Sequence, residues 1–161
     1  MKLGIIIICN NNENDIDICN CVKYLNNVKN MEICLVNNNS TDNTYDVLRE
    51  IKENCENVSI VNIKKRKSDN SAVKAGARFM SSQFNIKHLG FINTNMIRKY
   101  QNLSLLIKTI QDHQIDILEY NNRISNEKSM KQTMFQSLFS IVDYLSKIND
   151  KNEYNEMNSL G

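Results

Sequence analysis

The chain opens on a continuous apolar, mostly β-branched run, Leu3 to Cys9, which reads as a strand buried on both faces. A helical pattern follows over Asn14 to Asn27, with Ile18, Val22 and Leu25 at i, i+4 and i+7. Glu32 to Val36 and Val58 to Ile63 repeat the apolar-run signal and predict two further strands. Between them, Val47, Leu48, Ile51 and Cys55 form one helical stripe, with Ser40 or Asp42 as the expected N-cap. Ala72, Gly76, Phe79 and Met80 mark a third helix face, and Leu89 to Ile92 a fourth strand. Leu103, Leu106, Ile107 and Ile110 give a fourth helix. Ile115 to Glu119 reads as a fifth strand and Met134 to Ile148 as an apolar final helix.

Strands and helices alternate with short connections. That order predicts a parallel sheet covered by helices on both faces and joined by right-handed crossovers. Ligands of such sheets bind beyond the carboxyl ends of the strands, near a topological switch point. Asn-rich segments follow the first, second and fourth strands and therefore share that edge.

Composition narrows the reading without redirecting it. A chain of 161 residues makes one domain, long enough to bury about 70% of the surface of its unfolded form. A net charge of +2 gives no case for nucleic acid or for a membrane surface. Proline and tryptophan are absent and asparagine is abundant, as AT-rich coding would produce. The five cysteines include no Cys-x-x-Cys pair and no Cys/His cluster, and Cys19 and Cys21 point to different faces of a helix. Reduced thiols and a cytoplasmic location, at most peripheral to a membrane, are the expectation. No signal peptide is evident, and no apolar stretch approaches the ~20 residues of a membrane span.

The motifs then acquire a family. Val36-Asn37-Asn38-Asn39-Ser40-Thr41-Asp42-Asn43-Thr44 resembles the Val-Asp-Asp-Gly-Ser-Thr-Asp-Asn-Thr segment of family 2 glycosyltransferases. Ile5-Ile6-Ile7-Ile8-Cys9-Asn10-Asn11-Asn12-Glu13 is similar to that family's opening Ile-Ile-Pro-x-Tyr-Asn-Glu-Glu. Phe91-Ile92-Asn93-Thr94-Asn95 stands where the family carries its Asp-x-Asp metal motif. The stretch from Lys67 to Arg78 resembles the Gly-Lys-Gly-x-Ala-Val-Arg-x-Gly segment of the polyprenyl-phosphate sugar transferase branch, and Asn121-Asn122-Arg123 stands for Gly-Ser-Arg.

The resemblance implies a three-layer, Rossmann-like GT-A domain over residues 1–125, with residues 126–161 as a helical extension packing on it or on a partner. It implies nucleotide contacts from Cys9, Asn10, Asn12, Asn37, Asn38, Lys67, Asn93 and Thr94, and a grip on an acceptor phosphate from Arg123. The family's acceptor-binding half is expected to be truncated. For the C-terminal helix, packing on the sheet is the first expectation; a homodimer or pairing with an active glycosyltransferase is the next, and contact with a membrane interface the third, where Lys128, Lys131 and Lys147 flank the apolar face.

The departures from the family pattern carry the chemistry. A GT-A transferase commonly uses a divalent cation, held by the Asp-x-Asp carboxylates, to stabilise the leaving nucleoside diphosphate. Asn93 and Asn95 occupy those positions as neutral amides. Each lost carboxylate removes a charge attraction worth about 4 kcal/mol at 4 Å and intermediate dielectric. The expectation is a glycosyltransferase-like protein with metal-dependent catalysis lost or weak, using Mg²⁺ or Mn²⁺ only if binding outlives the substitutions. The alternative is a non-catalytic domain that binds a nucleotide or regulates a partner. Lys64-Lys65-Arg66-Lys67, with Lys74 and Arg78, could replace the cation's charge. His88 and His113 are expected at the surface or in caps, and no residue presents itself as a general base.

Overall fold

The computed structural model describes residues 2–127 and 133–160. Five strands, β1 (Leu3–Cys9), β2 (Met31–Asn38), β3 (Val58–Ile63), β4 (His88–Ile92) and β5 (Phe139–Ser140), form one sheet in the order β3-β2-β1-β4-β5. Every strand pair is parallel. The helices are α1 (Ile18–Asn27), α2 (Thr44–Glu53), α3 (Asp69–Gln83), α4 (Met96–Lys99), α5 (Leu103–Asp112), α6 (Gln114–Glu127) and α7 (Ile141–Leu160). A 3-10 turn covers Glu13–Asp15.

The central strands bury both faces, as their unbroken apolar runs require. Leu3, Ile5, Ile7 and Cys9 point into one core with Cys21 and Leu25 of α1, Leu48 and Ile51 of α2, and the apolar stripe of α5. Ile6 and Ile8 point the other way, onto Ala72, Val73, Ala77 and Met80 of α3. Gly76 lets α3 approach the sheet closely: a Cβ there would lie 2.6 Å from Ile6 Cγ2. The three-layer α/β architecture expected from the alternation is therefore present. From β1 the chain builds outward to β2 and β3 on one side and to β4 and β5 on the other, so the switch point lies between β1 and β4.

The C-terminal third differs from the expectation. Ile115 to Glu119 is not a strand but the start of α6, where Ile117, Leu118 and Asn121 are buried at helical spacing while Ile115 is exposed. The place beside β4 is taken by Phe139–Ser140 instead, pairing with Gly90 and Phe91. The final helix begins at Ile141, not Met134, because residues 134–136 turn and the following residues join the sheet. Lys128 and Lys131 lie outside the described residues. Among the described residues no helix is long and apolar enough to cross a membrane.

His88 is also not a surface residue. It is the first residue of β4 and is buried, with Nδ1 2.7 Å from Asn121 Nδ2. Asn121 Oδ1 accepts from the Tyr144 hydroxyl at 2.9 Å. With the amide in this orientation its nitrogen donates and His88 Nδ1 accepts. This buried chain of hydrogen bonds ties β4, α6 and α7 together.

Candidate functional site at the carboxyl edge of the sheet

The loops after β1 and β2 are stitched to each other by asparagine. Asn10 Nδ2 donates to the Asn38 carbonyl at 2.7 Å, and Thr41 N donates to Asn11 Oδ1 at 2.8 Å. Asn11 N in turn donates to Ser40 Oγ at 3.0 Å. Asn11, Asn39 and Asn95 all adopt left-handed backbone, with φ of 53°, 51° and 75°. Asparagine accepts that conformation more readily than other non-glycine residues, which is how these turns dispense with glycine.

The asparagines beneath the surface are committed to the protein. Asn12 is buried; its Oδ1 accepts from Asn10 N at 2.8 Å and its Nδ2 donates to Asp15 Oδ2 at 3.0 Å. Buried Asn37 donates to Asn62 Oδ1 at 2.9 Å and accepts from Ser40 Oγ at 2.6 Å. Asn38, 1% exposed, donates to the Lys67 carbonyl at 2.8 Å and accepts from Lys67 N at 3.0 Å. The second pairing fixes where the β3–α3 loop crosses the end of β2. The Lys67 side chain itself is exposed, as are its neighbours Lys64, Lys65 and Arg66.

Asp42 precedes α2, whose N-cap is Asn43 rather than Ser40 or Asp42. Its carboxylate nevertheless organises the helix start, accepting from Thr44 N at 2.9 Å, from the Thr44 hydroxyl and from Glu13 N at 3.3 Å. Burial opposes its ionisation, but these hydrogen bonds prevail and hold the carboxyl below its ordinary 3.8. Cys9 is fully buried. Burial pushes its thiol up to about 12, with smaller contributions from Cys21, Cys34 and Asp15. It meets the edge as packing, not as a nucleophile.

After β4 the Asn93-Thr94-Asn95 turn is held by a residue that motif reading passed over. Asp69, the first residue of α3, accepts from Thr94 N at 3.1 Å and from Thr94 Oγ1 at 2.8 Å. Its only sequence signal is its place after the Ser68 cap, which accepts from Ser71 N at 3.2 Å. A second residue overlooked is Arg98 of α4. Its Nε donates to Asp15 Oδ2 at 3.0 Å and its Nη2 to the Asn11 carbonyl at 3.3 Å, so it bridges the switch point from β4 to the β1 loop. Its partners lie 83 and 87 positions away, beyond the reach of any local pattern.

A cavity of about 360 Å³ opens beside this turn, between α3, the end of β4 and Phe135. Lys74 and Arg78 of α3 both lie near the Phe135 ring, at 5.7 and 5.3 Å from its centroid. Among the described residues, no group of three or more His, Cys, Asp or Glu side chains converges.

The structure thus brings together Cys9, Asn10, Asn12, Asn37, Asn38, Lys67, Asn93 and Thr94 along one edge. Arg123 is elsewhere. It lies on α6, not in a loop, with its guanidinium 5.0 Å from the Tyr120 ring in a cleft shared with Ile148 and Lys151 of α7. Asn121, two residues before it, meets β4 at its first residue, at the opposite end from Asn93.

No curated protein sequence matches this chain. The family model for glycosyl transferase family 2 matches residues 5–158, which takes in all five strands of the sheet but for the first two residues of β1. The chain, with its parallel sheet and its asparagine-lined carboxyl edge, belongs to glycosyl transferase family 2.

Proposed function

We propose that this protein is a glycosyltransferase-like domain that binds a sugar nucleotide at the carboxyl edge of its sheet without a protein-held divalent cation. One observation carries the reading. The turn after β4 offers the amides of Asn93 and Asn95, and the carboxylate against it, Asp69, accepts two hydrogen bonds from Thr94. Hard divalent cations take anionic oxygen ligands, and neutral amides beside one engaged carboxylate do not fit that need. The exposed cations of residues 64–67 lie next to the edge and can meet phosphate charge instead.

A second reading is a non-catalytic partner domain, favoured by the internal bonding of Asn12, Asn37 and Asn38 and by exposed Tyr154 and Met157 on α7. Thermal melting with a panel of nucleoside diphosphates and their sugars, with and without chelator, tests the first reading. A donor should raise the melting temperature equally in both conditions, since ligand binding to the native state stabilises it. No shift in either condition sinks nucleotide binding and leaves the partner reading. A shift abolished by chelator sinks the cation-free site.

A further inference from the structure

The polar side chains at the carboxyl edge fall into two groups. Those of Asn10, Asn12, Asn37 and Asn38 are bonded to protein. Those of Asn70, Lys74 and Asn93 have no hydrogen bond or ion pair among the described residues, and all three line the 360 Å³ cavity beside Asp69. Phe91 and Phe135 supply its apolar wall.

We propose that this cavity binds a single monosaccharide ring carrying an anionic group. Lys74 meets the anion, Asn70 and Asn93 meet ring hydroxyls, and Phe135 offers a surface to the C–H face of the ring. The choice of a sugar rests on the transferase reading above; the requirement for an anion does not.

The charge argument is local. Lys74 is half-buried, yet among the described residues no carboxylate lies within ion-pair distance, and its ammonium stands 5.7 Å from the Phe135 ring centroid. Arg78 adds a second cation over the same ring. The one carboxylate in the cavity, Asp69, is held by Thr94 through both oxygens. A ligand anion would supply the partner that no described carboxylate gives this ammonium. A bare anion would leave the two amides and the aromatic wall unused. The cavity sits near the lower end of ligand sites, about 300–1,000 Å³, which suits one ring and not a whole sugar nucleotide.

The test is a titration of isotope-labelled protein, followed through backbone amide resonances, with glucuronic acid, glucose 1-phosphate, glucose and inorganic phosphate. Resonances of residues 69–74 and 93–95 should move with a charged sugar, and which one binds more tightly tells a carboxylate from a phosphate. Glucose should bind at least about tenfold more weakly, the scale of one lost charge-assisted contact, and phosphate, which keeps the charge but lacks the ring, should bind more weakly than the charged sugars. Lys74→Gln should remove that preference over glucose, and Phe135→Leu should weaken every sugar. Melting curves establish that the variants fold, and the wild-type titration decides the matter if they do not. Equal binding of glucose and the charged sugars overturns the anion; equal binding of phosphate overturns the ring; no movement at these residues overturns the site. A charged sugar that binds here while no nucleoside diphosphate binds anywhere defeats the transferase reading and leaves this one standing.

Discussion

The side-chain amide of Asn38 grips the main chain of Lys67 in both directions, donating to its carbonyl at 2.8 Å and accepting from its N–H at 3.0 Å. An amide does both; an ionised carboxylate only accepts. A carboxylate at this position would keep the acceptor but set its other oxygen against the Lys67 carbonyl. Asn38→Asp should therefore lower stability by about 1–3 kcal/mol, the range for a buried polar group left without its partner. Chemical denaturation measures it, and an undiminished midpoint would show that the amide is interchangeable with the acid.

Restoring charge at the exposed turn should behave differently. Asn93 and Asn95 are solvent-accessible, and the Asn93 side chain has no hydrogen bond to lose among the described residues. The double change Asn93→Asp, Asn95→Asp, beside Asp69, should gather three carboxylates into a site for Mn²⁺. The expected result is a manganese-dependent rise in melting temperature for the variant alone. A comparable rise in the natural protein would refute the cation-free reading.

Gly76 is a packing residue. Its added Cβ would stand 2.6 Å from Ile6 Cγ2 and 3.1 Å from Val36 Cγ2, both short β-branched side chains of the central strands with little room to yield. Overpacking costs about 1–3 kcal/mol, and the better helix propensity of alanine returns at most about 1 kcal/mol. Gly76→Ala should be destabilising on balance, seen as a lower denaturation midpoint.

The cysteines should separate cleanly by reactivity. Cys9, Cys21 and Cys34 are buried, and burial is the main reason their thiols are pushed up to about 12. Cys55 is 6% exposed and raised for the same reason, while Cys19 is exposed. Brief alkylation of native protein at neutral pH should add one label, at Cys19, and denatured protein should take five. Rapid modification of Cys9 in the native state would contradict its placement.

His88 predicts the response to mild acid. Burial, aided by Lys87 and the N-terminus, holds its imidazole below the ordinary 6.5, so the unfolded chain takes up the proton first. Stability is then full above 6.5 and declines as pH falls from there through the depressed folded value. His88→Gln retains an acceptor for Asn121 and removes the titration. Its melting temperature should change less than that of the natural protein across the window just below 6.5. Parallel profiles would assign the loss to other groups.

How far the sequence reaches depends on how local the deciding forces are. The strands β1 to β4 follow from apolar runs too continuous for a half-exposed strand and too short for a buried helix, and their order already implies the parallel sheet and the edge where ligands meet it. Ile115 to Glu119 reads as a strand by the same signal yet is a helix: a short apolar stretch fits either period, and packing against β4 and α7 goes with the helix, while the sheet edge falls to Phe139–Ser140. The amides at the edge show the limit most clearly. Their identities are written in the chain, but whether an amide faces a ligand or the protein depends on partners distant in sequence. Asn38 finds Lys67 29 positions away and Thr94 finds Asp69 25 positions away, while the Asn93 side chain has no partner among the described residues. Hydrogen bonds need geometry to within tenths of an ångström, and only the folded chain supplies it.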